Sequence, residues 1–169
     1  MCPTIAVALL LKAETSILLR MDTSDRGVAL DDGYVALNSF APGENSGFAL
    51  AIRSGEIALN LGRGNGRVDC KVSLPTDYTE GWMHVLAFVD RENNKIGLCI
   101  DFGTIVTLDI PEDMRVSLDT QYSANIGQDG TGKYGGALPA TVDEFMIFDG
   151  AFDQSDVTAL EEYYGIANN

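Results

Sequence analysis

The sequence predicts an all-β fold, an antiparallel sandwich of two sheets with one short helix near its C-terminus. About eleven short apolar or alternating segments follow one another at regular spacing, separated by glycine, proline or short polar runs. Helical periodicity occurs in a single segment, close to the end. No internal repeat or low-complexity linker divides the 169 residues, so we expect one domain over residues 1–169.

The segment at residues 82–110 shows this pattern most clearly. Its first strand, WMHVLAFV, alternates two sets of side chains that are both largely apolar, which predicts a strand covered on both faces. The polar residues 90–94 then supply a turn before residues 95–100 resume the apolar pattern. We expect Trp82 to be buried between the two sheets and His84 to satisfy a neighbouring strand or loop.

Other strands are predicted before this segment. Residues 4–11 form a continuous apolar run, which is typical of a central strand buried on both faces. The dipeptide Ser54-Gly55 is a two-residue hairpin signal. The remaining predicted strands of this half are residues 17–21, 33–40, 47–53, 56–61 and 67–74.

After residue 110 the strand pattern continues and then changes to a helix. The predicted strands are residues 115–118, 123–127 and 140–148, with a glycine-rich loop at 128–136. Asp153 can cap a helix, with Asp156 at the third helical position in a capping-box-like arrangement, and Gly165 ends it. An apolar stripe at helical spacing consists of Val157, Leu160, Tyr163 and Tyr164.

Composition excludes several classes of partner. Apolar residues make up 46%, an ordinary share for a globular domain. The 11 basic and 25 acidic side chains give a net charge of -14, which disfavours nucleic acid and anionic membrane surfaces. Acidity of this kind gives plain solubility or, less commonly, accompanies calcium binding.

The three cysteines, Cys2, Cys70 and Cys99, show no zinc-ligand spacing. Cys70 and Cys99 lie in strand patterns and are most simply small buried apolar groups, although a disulfide between them is a possible alternative.

Residues 5–11 have the length of a signal-peptide core, but no basic residue precedes them and no cleavage pattern follows. No stretch is long enough to span a bilayer, and we expect a domain excised from a larger protein.

Two stretches carry a family resemblance. EGWMHVLAFVDRENNKIGLCIDF and SANIGQDGTGKYGGALPATVDEFMIFDGAFDQSDVTAL resemble laminin-G-like domains of the concanavalin A-like superfamily. That family has a Trp-His-His-Val strand, an Asp-led turn, a Leu-Tyr-Val-Asp-Gly strand and a final Ile-Asp-Glu-Val-x-Ile-Tyr strand before a short helix. The matching positions are Trp82, His84, Val85, Asp90, Leu98, Ile100, Asp101, Ile126, Gly127, Asp143, Glu144, Phe145 and Ile147.

The resemblance implies a two-sheet jelly roll that serves as a non-catalytic module of a secreted or cell-surface protein. Members bind glycans, proteins or calcium, so the fold does not fix the ligand. We expect a carbohydrate-binding, lectin-like module whose partner is a glycan or a surface protein. The alternative is a structural or protein-interaction domain, an adhesin or spacer, that binds no small molecule.

Two loops are the candidate ligand sites. Asp31 and Asp32 precede Tyr34 on a turn, where carboxylates and an aromatic ring could hold calcium or sugar hydroxyls, although an Asp-Gly turn that opens a strand is the ordinary explanation. The glycine-rich loop offers a second group, with a plain flexible turn as the ordinary explanation. The predicted ligand-binding residues are Asp31, Asp32, Tyr34, Asp129, Lys133 and Tyr134. Calcium is a candidate cofactor without an assigned ligand set.

Signals of catalysis or of phosphate binding are weak. GQDGTGK resembles a phosphate-binding loop, but Tyr134 stands where that motif has Ser or Thr, and no helix is predicted after it. The one histidine, His84, is expected to have a structural role, which disfavours a histidine-based triad, and the neighbours Asp143 and Glu144 point to opposite faces of a regular strand. The Glu-x-Asp-x-x-Glu spacing of the superfamily's glycosidases does not occur. Trp82 beside His84 could stack a sugar, but we favour a core role. The sequence therefore favours a protein that is not an enzyme.

Overall fold

The computed structural model describes residues 15–22, 47–63, 66–74, 81–115, 117, 125–127 and 140–165, together with the backbone of 34–38. The described strands are β1 (Thr15–Asp22), β2 (Tyr34–Asn38), β3 (Gly47–Arg53), β4 (Glu56–Arg63), β5 (Gly66–Ser73), β6 (Trp82–Asp90), β7 (Lys95–Ile100), β8 (Val106–Asp109), β9 (Asn125–Ile126) and β10 (Thr141–Asp149). A 3₁₀ turn covers Glu112–Met114, and the helix α1 covers Gln154–Tyr164.

The strands form two five-stranded antiparallel sheets. Sheet A has the order β10-β1-β6-β7-β8, and sheet B has the order β5-β4-β3-β2-β9. The predicted antiparallel two-sheet sandwich with one short C-terminal helix is confirmed. Residues 4–11, the predicted central strand, lie outside the described residues.

The central core lies between the inner faces of the two sheets. Alternate residues of β1 and of β3 to β7 point into it because the side-chain period of a strand is two. The fully buried side chains of this core include Leu19, Met21, Leu50, Ile52, Ile57, Leu59, Leu61, Met83, Val85, Ile96 and Leu98. Removing this apolar surface from water is the main force that holds the sheets together.

A second, smaller core covers the outer face of sheet A. Leu18, Leu86 and Cys99 from three neighbouring strands pack there with Phe102 and Val157. Since Val157 belongs to α1, the helix covers the outer face of β6 while sheet B covers its inner face. This confirms the prediction that β6 is covered on both sides.

Local signals place the turn and the helix where the sequence predicts them. Ser54 and Gly55 have φ angles of 51° and 72°, which the two-residue hairpin between β3 and β4 requires. The Asp153 side chain accepts from the backbone N–H of Asp156, and the Asp156 carboxylate accepts from that of Asp153, so the capping box is complete. Gly165 ends the helix at φ 67°.

One predicted strand and the alternative of a disulfide are not found. Arg115 and Ser117 lie in no strand, since Arg115 N–H donates back to Glu112 and closes the 3₁₀ turn. The disulfide alternative is wrong, because Cys70 faces the central core and Cys99 lies on the other side of sheet A, both as free thiols.

Trp82 is not buried between the sheets. It lies at the start of β6 on the outer face of sheet A, because Met83 takes the inward position. Its side chain is 38% exposed, and the Arg20 guanidinium carbon lies 4.4 Å from the centre of its ring. His84 is buried against α1 and the turn after β7. No described helix combines the length and the apolar character that crossing a membrane requires.

Candidate functional site

The structure does not test the loop residues that the sequence singles out as a binding site. Asp31, Asp32, Asp129, Lys133 and Tyr134 lie outside the described residues. The backbone of Tyr34 opens β2 and pairs with Ile52 of β3. These six residues therefore stay a prediction.

The described residues form a polar groove on the outer face of sheet B, with a volume of about 330 Å³. Strands β3, β4 and β5 build it with the side chains that alternate with their core residues. We call this feature the sheet B groove; it is lined by Ala51, Arg53, Ser54, Glu56, Ala58, Asn60, Arg67, Asp69 and Lys71.

The floor of the groove is made by small side chains. Ala51 and Ala58 are direct cross-strand partners, and Lys71 lies opposite Ala58 on the other side. Two methyl groups in the middle of a sheet face leave a depression between the longer side chains around them. The floor is rigid because the opposite faces of the same strands are packed in the core.

The walls carry hydrogen-bonding groups held in place by their neighbours. At one end Asn60 Nδ2 donates to Asp69 Oδ1 over 2.7 Å, and Arg67 Nη2 donates to Asp69 Oδ2 over 2.8 Å. At the other end Lys71 Nζ donates to Glu56 Oε2 over 3.0 Å. Both ends therefore present cationic donors and carboxylate acceptors, and a ligand rich in hydroxyl groups needs both kinds of hydrogen-bonding group.

The outer end of sheet A carries a second group of polar and aromatic side chains. Arg20 forms an ion pair with Asp143 and covers Trp82. The ring centres of Phe102 and Tyr164 each lie 4.7 Å from that of His84, which is only 3% exposed. Trp82 could therefore touch a ligand, whereas His84 could not join it without opening the cluster.

The acidic neighbours Asp143 and Glu144 have separate partners. A β-bulge pairs Arg20 with Glu144 and the next residue of β1 with Val142, so that Asp143 has no opposite residue. Tyr164 donates a hydrogen bond to Glu144, and burial together with this carboxylate raises the pKa of Tyr164. Among the described residues, no three His, Cys, Asp or Glu side chains come together as a metal site.

The sheet B groove is a feature that the sequence interpretation missed. A signal was present, because Ala49, Ala51 and Ala58 occupy the polar positions of adjoining strands. Small residues at outward positions in a chain otherwise rich in charge indicate a depression. The strands themselves were predicted, but the depression requires their register.

The fold and the groove together define the class of this protein, an antiparallel β-sandwich with a polar cleft on one sheet. Solved structures with the same fold are binding domains of botulinum neurotoxins. The binding domain of botulinum neurotoxin DC in complex with rat synaptotagmin II has a TM-score of 0.70 at 18% identity, over 93% of this chain and 37% of that chain. A structure of botulinum neurotoxin type C, whose cell entry depends on interaction with two ganglioside molecules, has a TM-score of 0.69 at 16% identity, over 91% and 37% of the two chains.

A third similar structure is the binding domain of botulinum neurotoxin DC in complex with SialylT, with a TM-score of 0.65 at 17% identity, over 90% of this chain and 36% of that chain. This chain thus spans little more than a third of the length of these proteins. At such identities the likeness shows the fold. No protein-family model and no curated protein sequence matches the chain.

Proposed function

We propose that this chain is a non-catalytic carbohydrate-binding module and that the sheet B groove holds the sugar. The observation that carries the proposal is a preformed groove with a small-residue floor and fixed donors and acceptors at both ends. A sugar ring presents hydroxyl groups around its edge, and each must regain the hydrogen bonds it loses on leaving water. The volume of about 330 Å³ lies in the range of small-molecule sites.

The structural neighbours support a binding role. Two of them are binding domains in complex with rat synaptotagmin II or with SialylT, and the third is of a toxin whose cell entry depends on interaction with two ganglioside molecules. Since these chains are much longer than this one, the groove itself carries the argument for a sugar site. The laminin-G-like assignment and a secreted or cell-surface location belong to the same proposal, with a glycan or surface protein as the partner.

The rim loops belong to the proposal as a second contact region. The residues concerned are Asp31, Asp32, Tyr34, Asp129, Lys133 and Tyr134. Calcium is the ion that carboxylates on such a turn would hold. Its contribution is testable by comparing binding with calcium and with a chelator.

The test is a glycan array probed with the full chain, with calcium and with EDTA, followed by the variant Ala58→Phe. A phenyl ring at position 58 fills the floor of the groove without touching the core, because Ala58 is an outward residue of β4. We expect the variant to lose at least about tenfold in affinity at an unchanged melting temperature. Thr107→Phe, on exposed β8 of sheet A, is the matched control.

If the wild-type chain binds no glycan on the array, either with calcium or with EDTA, the proposal is contradicted. If Ala58→Phe still binds the glycan, the binding site does not lie in the groove.

The alternative, a protein-interaction domain, is favoured by Tyr163 and Trp82, which are 75% and 38% exposed, because such aromatic residues are enriched at protein interfaces. Loss of a captured protein partner in Trp82→Ala, with no glycan bound, would support that alternative.

A further inference from the structure

We infer that Asp69 determines the specificity of the sheet B groove by accepting a hydrogen bond from one hydroxyl group on a single ring of an uncharged sugar. The inference rests on the proposed function, since it names the group that the groove recognises on its ligand. The hydroxyl at that ring position must donate its proton, so an analogue with fluorine or hydrogen in its place is bound more weakly.

The carboxylate of Asp69 has three donors among the described residues. Asn60 Nδ2 donates to Oδ1 over 2.7 Å, and Arg67 Nε lies 2.7 Å from the same oxygen. Arg67 Nη2 donates to Oδ2 over 2.8 Å. A carboxylate offers about four acceptor directions, so these contacts use both of those on Oδ1 and one of the two on Oδ2. The remaining acceptor direction therefore lies on Oδ2.

The same contacts fix the carboxylate before a ligand arrives. Arg67 binds both oxygens in a bidentate pair, which restricts the carboxylate to one orientation. The side chain of Asp69 is 21% exposed, against 49% for Arg67. Its neighbour Cys70 is fully buried in the central core, which anchors the strand at this point. The ligand meets an acceptor whose direction is already set, and this lowers the cost of ordering the site.

Asp69 borders the alanine floor of the groove. It lies opposite Asn60 in the pairing of β4 with β5, and the next outward pair along these strands is Ala58 with Lys71. Outward residues two apart on a strand are separated by about 7 Å, so a ring resting on Ala58 brings its edge beside Asp69. Strand β5 thus presents an acceptor, Asp69, and a donor, Lys71, to two different positions on that edge.

The charge of the pair suits a hydroxyl group. The Arg67 guanidinium already balances the Asp69 carboxylate, so a ligand gains little by bringing a further charge to this oxygen. A hydroxyl group that donates to an anionic oxygen makes a charge-assisted hydrogen bond, which is roughly twice as strong as a neutral one. If the ligand cannot donate there, Oδ2 leaves water without a new partner, and the affinity falls.

The experiment measures the binding of sugars that are altered at one hydroxyl group at a time. The probes are methyl galactoside, methyl glucoside and methyl mannoside, each with its singly deoxygenated and singly fluorinated analogues, titrated against the full chain by ligand-observed NMR. Fluorine is similar in size to a hydroxyl group but cannot donate a hydrogen bond. For at least one glycoside we expect a ring position where both analogues bind at least about tenfold more weakly than the parent.

Asp69→Asn tests whether Asp69 is the acceptor at that ring position. Asn60 Nδ2 and Arg67 Nε both donate at the place of Oδ1, so the amide oxygen takes that place and the amide nitrogen replaces Oδ2. The variant should bind the parent about tenfold more weakly and distinguish it from the fluorinated analogue by less than about twofold. A merely structural role would lower both affinities and keep their ratio.

Two further variants separate recognition from positioning. Asn60→Ala removes one donor to Asp69 but leaves the Oδ2 contact, so binding of the parent should weaken about two- to fivefold at an unchanged ratio. Glu56→Gln is the matched control, since it also replaces a carboxylate of the groove by an amide but lies at the other end. It should leave the ratio at the Asp69 position unchanged.

If every fluorinated analogue binds as tightly as its parent, the inference is wrong and the proposed function stands. The same holds if Asp69→Asn keeps the full ratio, and the wild-type series can overturn the inference even where the variant does not fold. A positive glycan array without binding of the three methyl glycosides would also overturn it, because the inference requires recognition of a single ring. If the array is silent as well, the proposed function is wrong too.

Discussion

At the scale of single residues, the ring of Phe88 occupies the space beside Gly97 that a side chain would need. The two are cross-strand partners in β7 and β6, and a Cβ atom built on Gly97 would lie 2.2 Å from the Cε1 and Cζ atoms of the ring. We expect Gly97→Ala to destabilise the protein by about 2–3 kcal/mol, because the buried ring would have to leave its position. Urea unfolding at neutral pH measures this.

Gly103→Ala is the control for that change. The atom nearest to a Cβ at Gly103 is the carbonyl oxygen of Ile100 at 3.2 Å, a contact that a small backbone shift relieves. Its loss of stability should be clearly smaller. Equal unfolding midpoints for Gly97→Ala and the wild type would show that the ring of Phe88 is not held against this glycine.

The position of Trp82 shows what a strand pattern can predict at a single residue. The alternation places Trp82 and His84 on one face and Met83 on the other, and that grouping is confirmed. Because both sets are apolar, the pattern does not say which face meets sheet B. The structure gives the inner position to Met83, so Trp82 becomes a surface residue and is available to a ligand.

At the scale of elements, the first turn of α1 depends on Asp153. The Ser155 hydroxyl and the backbone N–H groups of Asp156 and Ser155 donate to this carboxylate and lower its pKa. A depressed pKa means that the stabilisation is present above the unfolded value of about 3.9 and is lost as the pH falls through the folded value. We expect Asp153→Ala to speed amide hydrogen exchange in the helix at pH 6.

Asp153→Asn is the control, because asparagine caps helices about as well as aspartate. It should keep the slow exchange and remove the loss of protection that the wild type shows on going to pH 3. Identical exchange in all three proteins would mean that packing of Val157 alone holds the helix.

Elements with a local signal were the ones the sequence predicted best. The hairpin at Ser54-Gly55 and the helix from Asp153 to Gly165 follow from turn and cap chemistry within a few residues. The predicted strand at residues 115–118 had only its alternation. In the structure the backbone N–H of Arg115 donates to Glu112 in the 3₁₀ turn, and Arg115 Nε donates to the Ile110 carbonyl over 2.9 Å. The alternation of side chains does not predict these hydrogen bonds.

At the scale of the whole molecule, the candidate site depends on strand register and sheet order. The groove joins residues from β3, β4 and β5, and a shift by one residue would turn its alanines into the core. The sequence predicted these strands and the sandwich, yet pointed to loops for ligand binding because single loops carry visible motifs. A site assembled from three strand faces has no such local motif.

Each of the two cores contains one buried thiol, and the ionisation of these thiols makes the stability of the protein depend on pH. Cys70 lies in the central core and Cys99 in the core beneath α1, and burial raises the pKa of their thiols to about 11 and about 12. In the unfolded chain both thiols ionise near pH 8.5. The folded state therefore holds protons that the unfolded state releases, so the stability is complete below pH 8.5 and falls as the pH rises toward the folded values.

We expect the free energy of unfolding to fall by about 3 kcal/mol between pH 8 and pH 10 in a Cys2→Ser background, about 1.5 kcal/mol for each thiol, as measured by urea titration. Cys70→Ala combined with Cys99→Ala should lower the stability at both values but flatten its dependence on pH, because no thiol is left to ionise. Iodoacetamide at pH 8 should leave Cys70 and Cys99 of the folded protein unlabelled and modify both in urea. Rapid labelling of Cys99 alone in the folded protein would show that α1 opens while the central core stays closed, and the two cores would then unfold as separate units.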